Sequence, residues 1–218
     1  MPDKPNICFQ SIVGEPITTV IVGDSHAQAL FPGLVNSIPD RNIGLFVSGY
    51  APLLSNSGFR NFFNEINADI HIKTVIMSAY WIASTAEFVP KGSSLGLELE
   101  RAISFITQSG KKVYIMVDNH SFSFPPEACQ YSRFLGKGPK CSEDISAFFK
   151  QLNIYIDELR RIESSNPNVK VLDPSSLLCD EHKCSMIHNG RVLLRDKNHL
   201  SLDGSYYFGS WIASKIEK

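Results

Sequence analysis

The chain has 218 residues, 43% hydrophobic and 20% charged, with 21 basic against 22 acidic side chains and a formal net charge of -1. That length and composition suit one soluble domain with a sizeable core, and the interspersed charges exclude the basic face that nucleic acid or an anionic membrane surface requires. No stretch approaches the roughly 18 consecutive apolar residues of a membrane-spanning helix, and the N-terminal MPDKPNICFQ lacks the apolar centre of a signal peptide.

The first apolar run, Thr18 to Val22, is rich in β-branched residues and predicts a buried strand. It breaks at Gly23-Asp24-Ser25-His26, where Gly23 permits a sharp turn, and Ala27 to Val35 then has helical spacing. Further strand-like runs are Ile43 to Val47, Thr74 to Met77, Lys112 to Val117 and Val169 to Leu172. Helical spacing marks Phe59 to Ile66, Leu95 to Gln108 and Asp144 to Ile162; in the last, Ile145, Phe148, Phe149, Leu152, Tyr155, Ile156 and Leu159 recur at intervals of three and four. Gly110 is placed to close the third helix and Ser142 to cap the fourth. The final DGSYYFGSWIASKIEK predicts a helix from near Asp203, with Tyr207, Phe208, Trp211, Ile212 and Ile216 on its apolar side. Strands alternating with helices imply parallel β-α-β units, and near-continuous apolar strands imply a sheet covered on both faces. The expected fold is therefore α/β, three-layered, with a mostly parallel five-stranded sheet. The long irregular stretches, Asn119 to Cys141 and Asp173 to Arg195, are the loops available for function.

Ligands of open α/β sheets bind outside the carboxyl ends of the strands, where helix N-termini gather. Ser25 falls there, with two readings: a helix cap, or a nucleophile that needs a base supplied from elsewhere. RVLLRDKNHLSLDGS offers one, because Asp196 and His199 stand three apart before the last helix, a spacing at which a turn lets the carboxylate hold Nδ1 while Nε2 faces outward. The other reading of that pair is a surface acid and a structural imidazole. Asp24 is expected to fix the turn through local amides, and His26, in a helix's first turn where positive charge is disfavoured, to be neutral and non-catalytic. Tyr80 and Trp81 are either core or the wall of a sugar site, and Phe124, Pro125 and Pro126 shape their loop.

Cys129 and Cys141 flank a polar loop, and Cys179 and Cys184 flank DEHK, which reads as loop staples. Free thiols and a zinc site are the alternatives, although neither spacing matches the usual C-x2-C pairs. Staples would place the domain in an oxidising compartment and imply a cleaved leader or an upstream membrane segment. Cys8 is left over.

Gly23-Asp24-Ser25-His26 together with Asp196-Lys197-Asn198-His199-Leu200-Ser201 resembles the end motifs of the SGNH/GDSL hydrolase superfamily, and more narrowly the SGNH domain associated with acyltransferase-3 membrane proteins. SGYAPLL (Ser48 to Leu54) is similar to the second block, VIMSAYW (Val75 to Trp81) to a strand of the fused family that ends in Trp, and both cysteine pairs also look like that family. The resemblance spans nearly the whole chain. It implies Ser25 as nucleophile, His199 as general base then acid, Asp196 as its orienting partner, and the amides of Ser25 and Gly49 as oxyanion donors. The superfamily's third block carries an Asn within GxN. Here that place reads Ala79-Tyr80-Trp81, and one such donor is worth ~3 to 4 kcal/mol of transition-state stabilisation.

The resemblance further implies an extracytoplasmic O-acetyltransferase, one domain over residues 1 to 218, forming the C-terminal part of a longer membrane acyltransferase. It implies no bound metal or cofactor, an acetyl group that originates in acetyl-CoA and arrives through an acyltransferase-3 transmembrane domain of the same polypeptide, and an acceptor hydroxyl on a cell-surface polysaccharide such as lipopolysaccharide O-antigen. The periplasm, with a tether to the inner membrane, is the expected location. An esterase that passes the acyl group to water would use the same residues, and a non-catalytic glycan-binding module would need none of them.

Overall fold

Six strands form the central sheet of the computed structural model, which describes residues 7–83, 89–130 and 141–216. Five are the strands expected from sequence: β2 (Thr19–Gly23), β3 (Ile43–Val47), β4 (Thr74–Ser78), β5 (Lys112–Met116) and β7 (Val169–Leu172). All pair in parallel, in the order β3-β2-β4-β5-β7. β2 and β4 are buried along their whole length, which is why they read as unbroken apolar runs. The sixth, β1 (Ile7–Gln10), lies antiparallel on the outer edge of β3. Its ICFQ sequence gave no strand signal because an edge strand needs only backbone pairing, and three of its four residues are exposed.

Helices among the described residues include α1 (Ser25–Ser37), α2 (Ser57–Ala68), α3 (Leu95–Thr107), the single turn α4 (Glu127–Gln130), α5 (Ile145–Leu152), α6 (Ile156–Ser165), the single turn α7 (Ser175–Leu178) and α8 (Leu202–Ile216). β2 connects through α1 to β3 on one side, whereas β3 returns through α2 to β4 on the other. Right-handed crossovers then put α1 on one face of the sheet and α2, α3 and α6 on the opposite face. α8 packs along α1, and α3 touches both α2 and α6, which completes three layers.

Two expectations are corrected. The predicted helix Asp144 to Ile162 is two helices, because Ile154 and Tyr155 donate their amides to Gln151 and Leu152, three residues back. A tightened turn of that kind preserves spacing at three and four, so the apolar pattern runs through it unchanged. Ser142 does not cap α5; Asp144 does, accepting the Ser146 amide at 2.8 Å, while Ser142 belongs to β6 (Ser142–Asp144).

β6 pairs antiparallel with β8 (Lys183–Ser185), and the Met186 amide donates to the Cys141 carbonyl at 2.9 Å, so the end of the first loop expected to carry function is joined to the second. β9 (Ile187–His188) and β10 (Arg191–Val192) make a short hairpin beside them. Cys129 is bonded to Cys141 and Cys179 to Cys184, so neither pair is a thiol set or a metal site. The loop enclosed by the first bridge, residues 131–140, lies outside the described residues. Cys8 is a free, exposed thiol on β1.

Candidate active site

The connections from β2 and from its neighbour β4 run to opposite sides of the sheet, which makes their carboxyl ends the switch point at which open α/β sheets bind ligands. Gly23 occupies the β2 end with φ +155°, and a Cβ there would lie 1.6 Å from the Ser78 carbonyl oxygen of the neighbouring strand. Only glycine fits. Asp24 then caps α1 by accepting the His26 amide on Oδ1 at 2.8 Å, and its Oδ2 accepts the Tyr80 amide at 2.9 Å. It therefore fixes the turn through amides, as expected, and pins the end of β4 as well. Ser25 is left as the first residue of α1, half-buried at the positive end of the helix.

His199 approaches from the loop before α8. The Arg195 amide donates to the His199 carbonyl at 2.9 Å, and Ser201 caps α8 by accepting the Gly204 amide at 3.1 Å. Between these ties, Asp196 Oδ1 accepts the amides of Asn198 (3.0 Å) and His199 (2.8 Å), while Oδ2 lies 2.8 Å from His199 Nδ1. Nε2 of the same ring lies 2.8 Å from Ser25 Oγ. The acid, imidazole and hydroxyl are thus in line: Nδ1–H donates to the carboxylate, and Nε2 is left to accept the serine proton. Burial works against the Asp196 charge, but the two amides and the His199 ring outweigh it and hold its carboxyl below the usual carboxylate range.

The wider fold holds this line. Asn119 Nδ2 donates to the Asn198 carbonyl (2.8 Å), and the Phe122 amide donates to the Lys197 carbonyl (2.8 Å). The loop after β5 thereby grips both residues before His199. It is itself anchored by His120, 2.5 Å from Glu143 of β6, and by Gln151 of α5, which exchanges two hydrogen bonds with the Ser121 backbone. Pro125 and Pro126 shape this loop through their carbonyls, which accept the amides of Ala128 and Cys129, and Phe124 is buried beneath.

Gly49 follows β3, whose neighbour Ser48 donates its amide to the Gly23 carbonyl at 3.0 Å; Gly49 is half-buried at the same sheet edge as Ser25. Tyr80 and Trp81 part company. Trp81 is fully buried and its indole N–H donates to the Met116 carbonyl at 2.7 Å, so it is core and cannot wall a substrate. Tyr80 is half-buried and its ring stacks on His26.

The sequence reading missed Asp118. It is buried at the end of β5, with Oδ1 3.3 Å from His26 Nδ1 and Oδ2 accepting the Trp81 amide at 2.7 Å. The signal was present: VDNH (Val117 to His120) ends a strand on an acid, an amide and an imidazole at the same sheet edge as Gly23-Asp24-Ser25-His26. His26 is also not in the field expected of it. Burial disfavours its charge, but Asp118, Asp24 and Asp196 together outweigh burial and hold the imidazole above its ordinary range. The helix end alone had pointed to a neutral ring.

An α/β/α sheet with a serine, an imidazole and a carboxylate in line at its carboxyl edge has a layout that recurs on several unrelated α/β folds, and sequence comparison assigns the class: the profile of the family described as "SGNH domain (fused to AT3 domains)" matches residues 3–213. The chain belongs to that family. Among solved structures, it is similar to the periplasmic domain of the lipopolysaccharide acetyltransferase of Salmonella ser. Paratyphi A, with a TM-score of 0.68 and 20% identity over 95% of this chain and 86% of that one. It is also similar to an acetyl xylan esterase, with a TM-score of 0.53 and 13% identity over 91% of this chain and 99% of that one. At these identities the likeness establishes the fold. Comparison of the sequence with curated proteins finds no match. Among the described residues, no helix is long and apolar enough to cross a membrane.

Proposed function

We propose that this domain is an O-acetyltransferase that works through an acyl-enzyme on Ser25, with His199 as base and then acid and Asp196 as its orienting partner. The observation that carries this reading is the 2.8 Å approach of His199 Nε2 to Ser25 Oγ with Asp196 behind the ring. Ser25 Oγ attacks the acetyl carbonyl, and its proton passes to Nε2. The developing oxyanion faces the amides of Ser25 and Gly49 at the positive end of α1. The donor's alkoxide departs with the proton from Nε2. An acceptor hydroxyl then attacks the acyl-enzyme, gives its proton to His199, and Ser25 leaves with that proton restored.

Membership of a family whose domain is fused to AT3 domains supports an acyltransferase-3 partner in the same polypeptide; in this proposal that partner lies in the membrane and hands over acetyl groups derived from acetyl-CoA. The two disulfides fit an oxidising compartment, and the similar Salmonella domain is periplasmic, which supports an extracytoplasmic domain tethered to the inner membrane. A cell-surface polysaccharide, as in that lipopolysaccharide acetyltransferase, is the acceptor class.

The test is to supply the domain with p-nitrophenyl acetate and a purified O-antigen polysaccharide and to measure acetylated glycan against free acetate. The proposal expects glycan acetylation that Ser25→Ala abolishes. Acetate as the sole product, with and without glycan, identifies an esterase built on the same residues. Undiminished acetylation by Ser25→Ala contradicts the acyl-enzyme.

A further inference from the structure

Asp24 and Asp118 each divide their two oxygens between His26 and the Tyr80–Trp81 turn. Asp24 takes the His26 amide on one oxygen and the Tyr80 amide on the other. Asp118 faces His26 Nδ1 at 3.3 Å with one oxygen and takes the Trp81 amide at 2.7 Å with the other. The imidazole is the piece that closes this double clamp. Its ring stacks on Tyr80, 5.2 Å between centroids and 15° between planes, and stands 5.0 Å from the His199 ring. Its Nε2 has no hydrogen-bond partner among the described residues, and the ring lines a cavity of about 10 Å³, the space of one water, with Ser78, Asn119, Leu200 and Phe208.

An apolar side chain would fill this position without the desolvation that an imidazole and a carboxylate both suffer. What the pair adds is geometry. It ties the N-terminus of α1, which presents Ser25, to the exits of β4 and β5. The β5 exit continues into Asn119, which holds the carbonyl of the residue before His199. The clamped turn is Ala79-Tyr80-Trp81, the place where the superfamily pattern puts its asparagine.

We propose that His26, paired with Asp118, is a positioning residue for the reaction of Ser25: the pair fixes the Tyr80–Trp81 turn beside the oxyanion region and backs the His199 ring. This inference rests on the acyl-transfer reading of the same site. The titratable groups facing His26 are Asp24 from the β2–α1 turn, Asp118 from the β5 exit, Tyr80 from the β4 exit, and Asp196 and His199 from the loop before α8. Burial also pushes the Asp118 carboxyl up, against the opposing effect of the His26 ring beside it.

Two nearly space-filling substitutions separate hydrogen bonding from packing, with p-nitrophenyl acetate as acyl donor. His26→Phe keeps a ring and removes the Nδ1 donor; kcat falls about 10- to 100-fold, the cost of a small misplacement of reacting groups, with KM within about twofold. His26→Asn returns a donor near Nδ1 and keeps kcat within about fivefold of the parent. Wild-type kcat in His26→Phe, or an equal fall in both chains, overturns the proposal. Where His26→Phe does not fold, as judged by circular dichroism, Asp118→Asn decides, because it can still accept the Trp81 amide while losing the charge that faces Nδ1. A kcat loss of the same order supports the pair, and unchanged kcat overturns it. Ser25→Ala keeps the two readings apart. Turnover that survives Ser25→Ala ends the acyl-enzyme itself, whereas an inactive Ser25→Ala beside an unaffected His26→Phe overturns the positioning role alone.

Discussion

Ser25 reaches its imidazole because the residue two places before it has no side chain. Alanine at Gly23 would drive a Cβ into the Ser78 carbonyl at 1.6 Å, and backbone on a neighbouring strand cannot move aside cheaply. Gly23→Ala is therefore expected to destabilise the domain by about 2 to 4 kcal/mol, read by urea unfolding, through overpacking combined with an unfavourable φ. Asp196 does two jobs that one substitution separates. Asp196→Asn keeps an oxygen for the amides of Asn198 and His199, but its NH2 group facing Nδ1 favours the tautomer with the proton on Nε2, where it cannot accept from Ser25. The expected result is a kcat loss of ~10² to 10⁴ with little change in unfolding free energy, since the corresponding substitution in a serine protease leaves geometry intact. At this scale the sequence was eloquent about Ser25, Asp196 and His199, whose residue types and spacings anticipated the hydrogen-bonded line that the structure shows. For Asp118 it offered only a strand end, VDNH, and nothing in the chain order joins that acid to its partner His26, 92 positions away.

Two helices bring the halves of the site together. α1 begins with Ser25 and α8 follows His199, and they meet at glycines: a Cβ on Gly209 would lie 2.2 Å from the Gly33 carbonyl carbon, and one on Gly33 would lie 1.7 Å from the Ser205 carbonyl oxygen. The Gly33 amide donates to Ser205 Oγ at 2.9 Å, which satisfies a backbone group next to Pro32, itself without an N–H. Gly209→Val should part the helices, lowering stability by about 1 to 3 kcal/mol through overpacking. It should also lower kcat more than KM, because the displacement falls on the line between Ser25 and His199; denaturant unfolding and steady-state kinetics on one preparation check both. Apolar periodicity revealed α1 and α8 and the five parallel strands, because burial on one or two faces imposes a repeat. It could not reveal β1, where only backbone pairing is at stake, nor the tight turn between α5 and α6, which keeps the repeat intact. Nor could it reveal which helices touch, since glycine contributes nothing to an apolar stripe.

The whole molecule sets the site's tolerance of its surroundings. The two disulfides close short loops, and each is expected to contribute roughly 2 to 3 kcal/mol by restricting the unfolded chain. The Cys129–Cys141 bridge and β6 lie in the segment whose Glu143 anchors His120, so reduction with dithiothreitol should lower the melting temperature and also loosen the loop that grips Lys197 and Asn198. Loss of activity at temperatures where far-UV circular dichroism is still native is the expected signature. Acid acts through the carboxylates. For Asp196, Glu143 and Glu98, burial raises the pKa, but hydrogen bonds and neighbouring positive charge outweigh it and leave each below its ordinary value. Their stabilisation is thus complete above the unfolded carboxylate range, near pH 4 to 4.5, and is lost as pH falls through the lower folded values. Melting temperature should decline below about pH 5 as these carboxylates are protonated, while between pH 5 and neutrality two imidazoles act with opposite signs: His26, held above its ordinary range, stabilises more as pH falls, and His120, whose burial lowers its value, stabilises less.

All of this converges on one bond that must form at one atom. Rapid quench of the domain with p-nitrophenyl acetate, followed by peptide mass spectrometry, should find acetyl on the peptide carrying Ser25. The modification should be absent from Ser25→Ala and much slower to accumulate in His199→Ala. An acetyl group on any other residue during turnover, or full-rate turnover in His199→Ala, would contradict the account.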